Sequence, residues 1–316
     1  MATENRVEFG LMGPLSLMKP SISSEKIQAY FRRAEELGFH SVWMNEQSGF
    51  SAHIGSFESM SLMSYAAALT TRLRLGFAVM LINLRNPIHI ARGLASIDQL
   101  SKGRLIFGVG MGAATGVYGA YGLSPERRVA RFNETLSYIQ GLWTEDNLTF
   151  EGQFWQVKGA NMMPKPLQKP HPPIWFGGSA PAVLKRAVRR GTGFIGAGSS
   201  TTADFKSHVQ TIRQELDTAG KDPAKFSIAK RVNLAVDKDR DRALRGLREW
   251  FGDYYNNPDR ADRVSVWGSV DQVVEGLNAV ISAGARLVIL SPVFDGLEQM
   301  EILASEVVPR ITGTKA

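Results

Sequence analysis

Apolar residues recur in eight short runs, most feeding directly into a segment of helical periodicity. The runs are Val7–Leu11, Ser41–Met44, Leu73–Met80, Arg104–Gly108, Pro173–Phe176, Gly193–Gly196, Phe226–Val236 and Arg286–Leu290. In the first, Val7, Phe9 and Leu11 alternate with Glu8 and Gly10, the period of a half-buried strand. The first four return about every 30 residues, the length of a strand plus a crossover helix. Strands joined in this way lie parallel, and eight of them close on themselves, which predicts an α/β chain folded as a (β/α)8 TIM barrel. Function is then sought just after each strand, in the loops at the carboxyl end of the barrel.

The helical segments carry their own punctuation. Ser23 or Ser24 caps a stripe of Ile27, Phe31, Ala34 and Leu37, and Gly38 ends it. Pro87 suits the first turn of a helix running through Ile90, Leu94 and Ile97. A further helix is expected from Pro125 to Trp143, with Ser124 as its cap. The rhythm breaks after the fourth unit. Leu148–Phe150 and Phe154–Val157 flank Glu151-Gly-Gln153 and predict a small antiparallel hairpin over about 146–158, outside the barrel pattern. Helical patterns at 240–251 and 269–283 separate the last two strands, and a tail helix spans 296–311. No linker divides the chain, so 1–316 reads as a single domain.

Composition narrows the classes. Lys and Arg exceed Asp and Glu by 37 to 30, but the bases are scattered and no basic and aromatic interleaving occurs, which argues against a nucleic-acid partner. No run of 18 apolar residues exists to span a membrane. The start, MATENRVEFG, lacks the basic-then-apolar pattern of a secretory leader, and cysteine is absent. Disulfides, iron–sulfur clusters and thiolate nucleophiles are thereby excluded, and a cytoplasmic location is the expectation.

The candidate chemistry lies at the strand ends. Gly108-Val-Gly-Met-Gly112 follows the fourth strand, not the first, and does not open a helix, so it is not a dinucleotide fingerprint. Gly108, Gly110 and Gly112 either let a flat ring approach the backbone or form a tight turn without a ligand. Gly177, Gly178 and Ser179 precede a helix at Pro181, and Gly198, Ser199 and Ser200 repeat the arrangement one unit later. Each is a candidate anion site at a helix start, with plain capping as the alternative. Asn45, Glu46 and Gln47 form a polar insertion after the second strand. Glu46 is a candidate acid or base, and Gln47 and Asn45 are candidate hydrogen-bonding groups. Ala78, Val79 and Met80 would line a pocket wall, with Asn83 and Arg85 just beyond. The polar loop 48–59 is a candidate lid, and it carries His53, the histidine best placed to meet a substrate. No His-x-His pair, HExxH or GxSxG is present, which leaves no metal site and no serine elbow. With so little reactive machinery in the side chains, redox chemistry has to come from a flat, phosphorylated cofactor.

Several segments carry a resemblance. Ala34-Glu-Glu-Leu-Gly-Phe-His-Ser-Val-Trp43, Arg72-Leu-Arg-Leu-Gly76, Arg85-Asn-Pro87, Leu94-Ala-Ser-Ile-Asp-Gln-Leu-Ser-Lys-Gly-Arg-Leu-Ile-Phe-Gly-Val-Gly110 and Lys165-Pro-Leu-Gln-Lys-Pro-His-Pro-Pro-Ile-Trp-Phe-Gly-Gly-Ser179 resemble the bacterial luciferase-like family of flavin- and deazaflavin-dependent oxidoreductases. The resemblance implies a (β/α)8 barrel, usually a homodimer, with the cofactor ring in the carboxyl-end pocket. It implies a cis peptide at Ala78–Val79 backing that ring, and a phosphate held by Gly177, Gly178 and Ser179 with help from Ser199 or Ser200. Members of the deazaflavin branch that act on sugar phosphates place a histidine after the second strand and a glutamate after the glycine run. Here those places hold Gln47 and Ala113. The expectation is therefore an FMN-dependent monooxygenase acting with O2 on a small organic substrate, its reduced flavin supplied by a separate NAD(P)H:flavin reductase. The alternatives are a coenzyme F420-dependent oxidoreductase and a flavin-binding protein without turnover.

Overall fold

In the computed structural model, which describes residues 7–14, 23–46, 56–112 and 116–312, each of the eight apolar runs overlaps a strand. They are β1 (Glu8–Met12), β2 (Ser41–Met44), β3 (Arg74–Phe77), β4 (Leu105–Gly110), β5 (Ile174–Gly177), β6 (Gly193–Gly196), β7 (Ser227–Val236) and β8 (Leu287–Pro292). Every strand pairs in parallel with the next. β8 pairs back onto β1, Glu8 opposite Leu287 through Leu11 opposite Leu290, so the barrel is closed.

Two indoles fill the barrel axis. Trp43 of β2 and Trp175 of β5 lie 5.3 Å apart, centroid to centroid, and both are buried. The strands beside them carry glycine where the rings lie. A Cβ on Gly76 would stand 2.3 Å from the Trp43 ring, and one on Gly193 would stand 2.7 Å from Trp175. Large and small residues thus alternate round the layer. Each buried indole removes roughly 150–250 Å² from water, an upper-bound gain of about 4–6 kcal/mol apiece.

The helices begin where capping residues allow. Ser23 accepts from the Lys26 N–H and starts Ser24–Glu36, and Asn86 accepts from the Ile88 N–H ahead of Pro87–Leu100. The fourth crossover helix starts at Arg128 and not at Pro125, because Arg127 takes a left-handed conformation (φ 57°) first. Ser124 accepts from Glu126 in the turn before it. The predicted hairpin pairs Leu148–Glu151 with Gln156–Ala160. The Glu134 carboxylate pins its turn by accepting from the N–H groups of Gln153, Phe154 and Trp155.

Three features depart from the sequence pattern. The run Leu73–Met80 is interrupted, with Met80–Leu81 resuming its pairing on β4 after a bulge. A short strand, Val266–Gly268, extends the sheet by pairing with the end of β7. The tail helix widens into a π-type turn at Leu303–Val307. None of the described helices is long and apolar enough to cross a membrane.

Candidate functional site

The bulge after β3 organises the mouth of the barrel. Gly76 pairs with Ile106 and Met80 with Val109, so β3 carries one residue more than β4 over this stretch. The Ala78–Val79 peptide within it is cis. Its glycine neighbours make the room. A Cβ on Gly108 would stand 1.7 Å from the Phe77 carbonyl oxygen. One on Gly110 would stand 2.4 Å from a Val79 methyl, and one on Gly177 would stand 2.7 Å from the other. Leu81 lies 3.2 Å from where a Gly112 side chain would begin. The glycine run therefore admits the bulge itself. From the sequence these glycines offered either room for a flat ring or a tight turn without a ligand; in the structure the Phe77 carbonyl and the Val79 side chain stand where side chains at Gly108 and Gly110 would begin.

Glu46 holds the bulge from β2. Its N–H donates to the Val79 carbonyl (3.3 Å), and its carboxylate accepts from the Leu81 N–H (2.5 Å) and from Arg85. Arg85 also donates to Glu58 (2.6 Å), the N-cap of the helix Ser59–Leu69. Burial pushes the Glu46 carboxyl above its ordinary range, against the pull of Arg85. Burial also favours protonated Glu58, but the N–H groups of Met60 and Ser61, together with Arg85, outweigh it and bring that carboxyl down to about 2. Beside this chain of charges lies a recess of about 400 Å³ lined by Phe57, Leu84 and Tyr121 among others. Both Glu46 oxygens are engaged, so the residue acts as a strut in this arrangement.

Asn83 is fully buried behind the bulge, where its amide donates to the Tyr118 hydroxyl (3.2 Å) and the Arg128 carbonyl (3.0 Å). Its role here is to tie the segment after the bulge to Tyr118 and to the start of the helix Arg128–Thr144. Gln47, His53 and Ala113 lie outside the described residues.

The two candidate anion sites differ. The helix Pro181–Arg190 has Ala180 at its N-cap and no side-chain cap, and Ser179 is exposed beside it. Gly178 sits at φ 147°, where a side chain is strained and would press on Val183 at 3.0 Å. That helix start is open to an anion. The later one is closed by its own residues, because Thr201 and Asp204 form a capping box with a carboxylate in the first turn of Thr202–Thr218. Ser200 is buried, donating to the Ala197 carbonyl (2.8 Å) and accepting from Lys230 (3.0 Å). Burial, then the neighbouring Arg231, push the Lys230 ammonium down to about 7. Gly198 lends its carbonyl to Asn233 (3.1 Å), and Ser199 is half-buried beside it.

A third group went unread in the sequence. Arg231 and Asn233 share one face of β7 at the mouth. The helix Arg240–Tyr255 brings Trp250, Tyr254 and Tyr255 over them. Trp250 and Tyr254 stack at 4.5 Å, and the Arg231 guanidinium lies 5.7 and 5.5 Å from their ring centres. Asn45 at the end of β2 donates to the Tyr254 hydroxyl (2.6 Å), so this helix reaches across the opening. Burial raises the Tyr255 phenol against the pull of Arg231. The signal was present as two polar residues two apart in a buried strand and three aromatics ending a charged helix. The basic residues at the start of that helix point to solvent and hide what its far end does.

A closed parallel barrel with a cis bulge after its third strand and an open helix start after its fifth narrows the field, and comparison of the sequence decides it. Residues 11–287 match the luciferase-like monooxygenase family. The chain belongs to that family of enzymes. Among its luciferase-like relatives, an F420-dependent glucose-6-phosphate dehydrogenase of Kineococcus radiotolerans is 30% identical over 231 residues, covering 71% of this chain and 68% of that one. An FMNH2-dependent dimethylsulfone monooxygenase of Pseudomonas putida is 33% identical over 193 residues, covering 59% and 52%. Among solved structures, an F420-dependent secondary alcohol dehydrogenase in complex with an F420-acetone adduct superposes with a TM-score of 0.84 at 21% identity, covering 97% of this chain and 99% of that one. At that identity the last likeness concerns the barrel fold.

Proposed function

We propose that this luciferase-like enzyme is an oxidoreductase that binds coenzyme F420 in the barrel mouth and acts on a small organic substrate. F420 supplies two-electron redox chemistry at its ring when bound. The observation that carries the reading is the bulge. Val79 is wedged between Gly110 and Gly177, and Glu46 ties the backbone on its other side. A fixed apolar knob at the centre of the mouth is a suitable backing for a planar ring. The start of Pro181–Arg190, which no side chain caps, suits the anionic tail. Preference for F420 over the FMN expected from the sequence rests on the relatives, where F420-dependent enzymes recur.

The chain's own groups then position the substrate. Because Tyr254 accepts from Asn45, its own proton is free to be donated to a substrate oxygen. The stacked Trp250 and Tyr254 lie over Arg231 beside the opening. Tyr254→Phe is expected to lower kcat/KM about tenfold while costing about 0.5–1.5 kcal/mol of stability, the range for one hydrogen bond. Unchanged kinetics in a folded variant would remove Tyr254 from the mechanism.

The second reading, an FMN-dependent monooxygenase fed by an NAD(P)H:flavin reductase, is favoured by the Pseudomonas putida relative and by Gln47 and Ala113 at the acid–base places. Titration with F420 and with FMN separates the two. F420 is expected to bind at least tenfold more tightly. Tighter FMN binding transfers the assignment to the monooxygenase, and no binding of either overturns the redox reading.

A further inference from the structure

Among the described residues, no carboxylate stands against the buried cation Arg231. It is 5% exposed, and the groups that support its charge are the phenols of Tyr254 and Tyr255, with no carboxylate among them. The Tyr254 hydroxyl accepts a hydrogen bond from the guanidinium, but Nε has no partner and Nη2 makes a long contact of 3.4 Å to Ser291 Oγ on β8. Two residues along β7, Asn233 Oδ1 is also buried without a partner. Removing a guanidinium from water is costly unless charge or hydrogen bonds replace the solvent, and the two aromatic faces replace only part of it. A fold that keeps an arginine in this condition at the mouth of its barrel has left the counter-charge to a ligand.

We infer that Arg231, with Ser291 and Tyr254 beside it, is the subsite for an anionic group on the organic substrate: a carboxylate, sulfonate or phosphate monoester. The planar guanidinium presents paired N–H donors that match two oxygens of such a group, and its free Nε is one of the donors a bidentate contact uses. Ser291 Oγ and the Tyr254 hydroxyl supply further donors at the rim. The class of substrate follows, an acid or phosphorylated compound in place of a neutral alcohol, aldehyde or ketone. The word substrate rests on the oxidoreductase reading above, whereas the anion site does not. The cofactor's own phosphate has the same chemistry, and the experiment separates it.

Calorimetric titration of the cofactor-free protein with butyrate and butane-1-sulfonate, and with neutral butyramide, reads the subsite without turnover. Both anions are expected to bind at least tenfold more tightly than butyramide. Arg231→Gln is expected to lose that preference while keeping its affinities for FMN, riboflavin and F420. Asn233→Asp, which supplies an internal carboxylate to Arg231, is expected to lose it as well, and it decides the matter should Arg231→Gln fail to fold. Equal binding of butyrate and butyramide, no binding of either anion, or anion affinity retained in the folded variants overturns the inference. A tenfold loss of FMN or F420 affinity in Arg231→Gln, with riboflavin unchanged, gives the site to the cofactor phosphate and overturns the substrate assignment. Failure of both cofactors to bind the wild type would sink the redox reading and leave this anion test standing.

Discussion

The chain Glu46–Arg85–Glu58 sets the electrostatics on one side of the mouth, and its members differ in exposure. Glu46 is nearly enclosed, with 8% of its side chain exposed, whereas Glu58 keeps 43%. For Glu58 the folded carboxyl titrates at about 2 against 4.5 ordinarily. The unfolded chain takes up this proton first as pH falls. Its contribution to stability is therefore full above 4.5 and drains away as pH drops toward 2. Glu58→Gln is expected to lower the urea midpoint at neutral pH and to flatten the acid limb across that window. An acid limb as steep as that of the wild type would show that Glu58 does not carry this part of the titration. The interaction is partly solvated, so the change should be modest.

At the level of elements, the bulge and the glycines of β4 and β5 are one packing unit. The methyl added by Gly110→Ala meets Val79 at 2.4 Å, so the variant is expected to lose about 1–3 kcal/mol by overpacking and to bind cofactor poorly. Val79→Ala removes the obstructing methyls. The pair should therefore couple favourably by roughly 0.5–3 kcal/mol in a double-mutant cycle read by urea unfolding. Additive effects would mean that the two side chains do not compete for the same space. Much of this unit was visible beforehand. The cis peptide was expected from family resemblance, and the glycines stood out by composition. What filled their missing side chains was not visible, because that neighbour comes from a different strand. Likewise, the helix starts after β5 and β6 look alike in sequence, and only the capping box of Thr201 and Asp204 distinguishes them.

For the molecule as a whole, closure of the barrel and the filling of its axis are the same event. Trp43→Ala leaves a cavity that the glycines Gly10 and Gly76 cannot fill, and a loss of about 3–5 kcal/mol in denaturant unfolding is expected. A loss below about 1 kcal/mol would contradict the packed axis. The strand order, the parallel sense and the hairpin Leu148–Ala160 were legible from the chain, since apolar period and crossover length are local properties of consecutive residues. The helix Arg240–Tyr255 was legible as a helix over 240–251, but its contacts with Arg231 and Asn45 were not. Its charged first turns report on solvent, whereas the destination of Trp250 and Tyr254 depends on where β7 ends relative to β2. The sequence by itself determined the class of fold and the strand ends at which chemistry gathers. Tertiary structure alone decided that Glu46 braces a bulge, that Asn83 is buried behind it, and that Arg231 stands without a counter-charge among the described residues. Such outcomes depend on which distant groups share a space, and the local pattern holds no record of them.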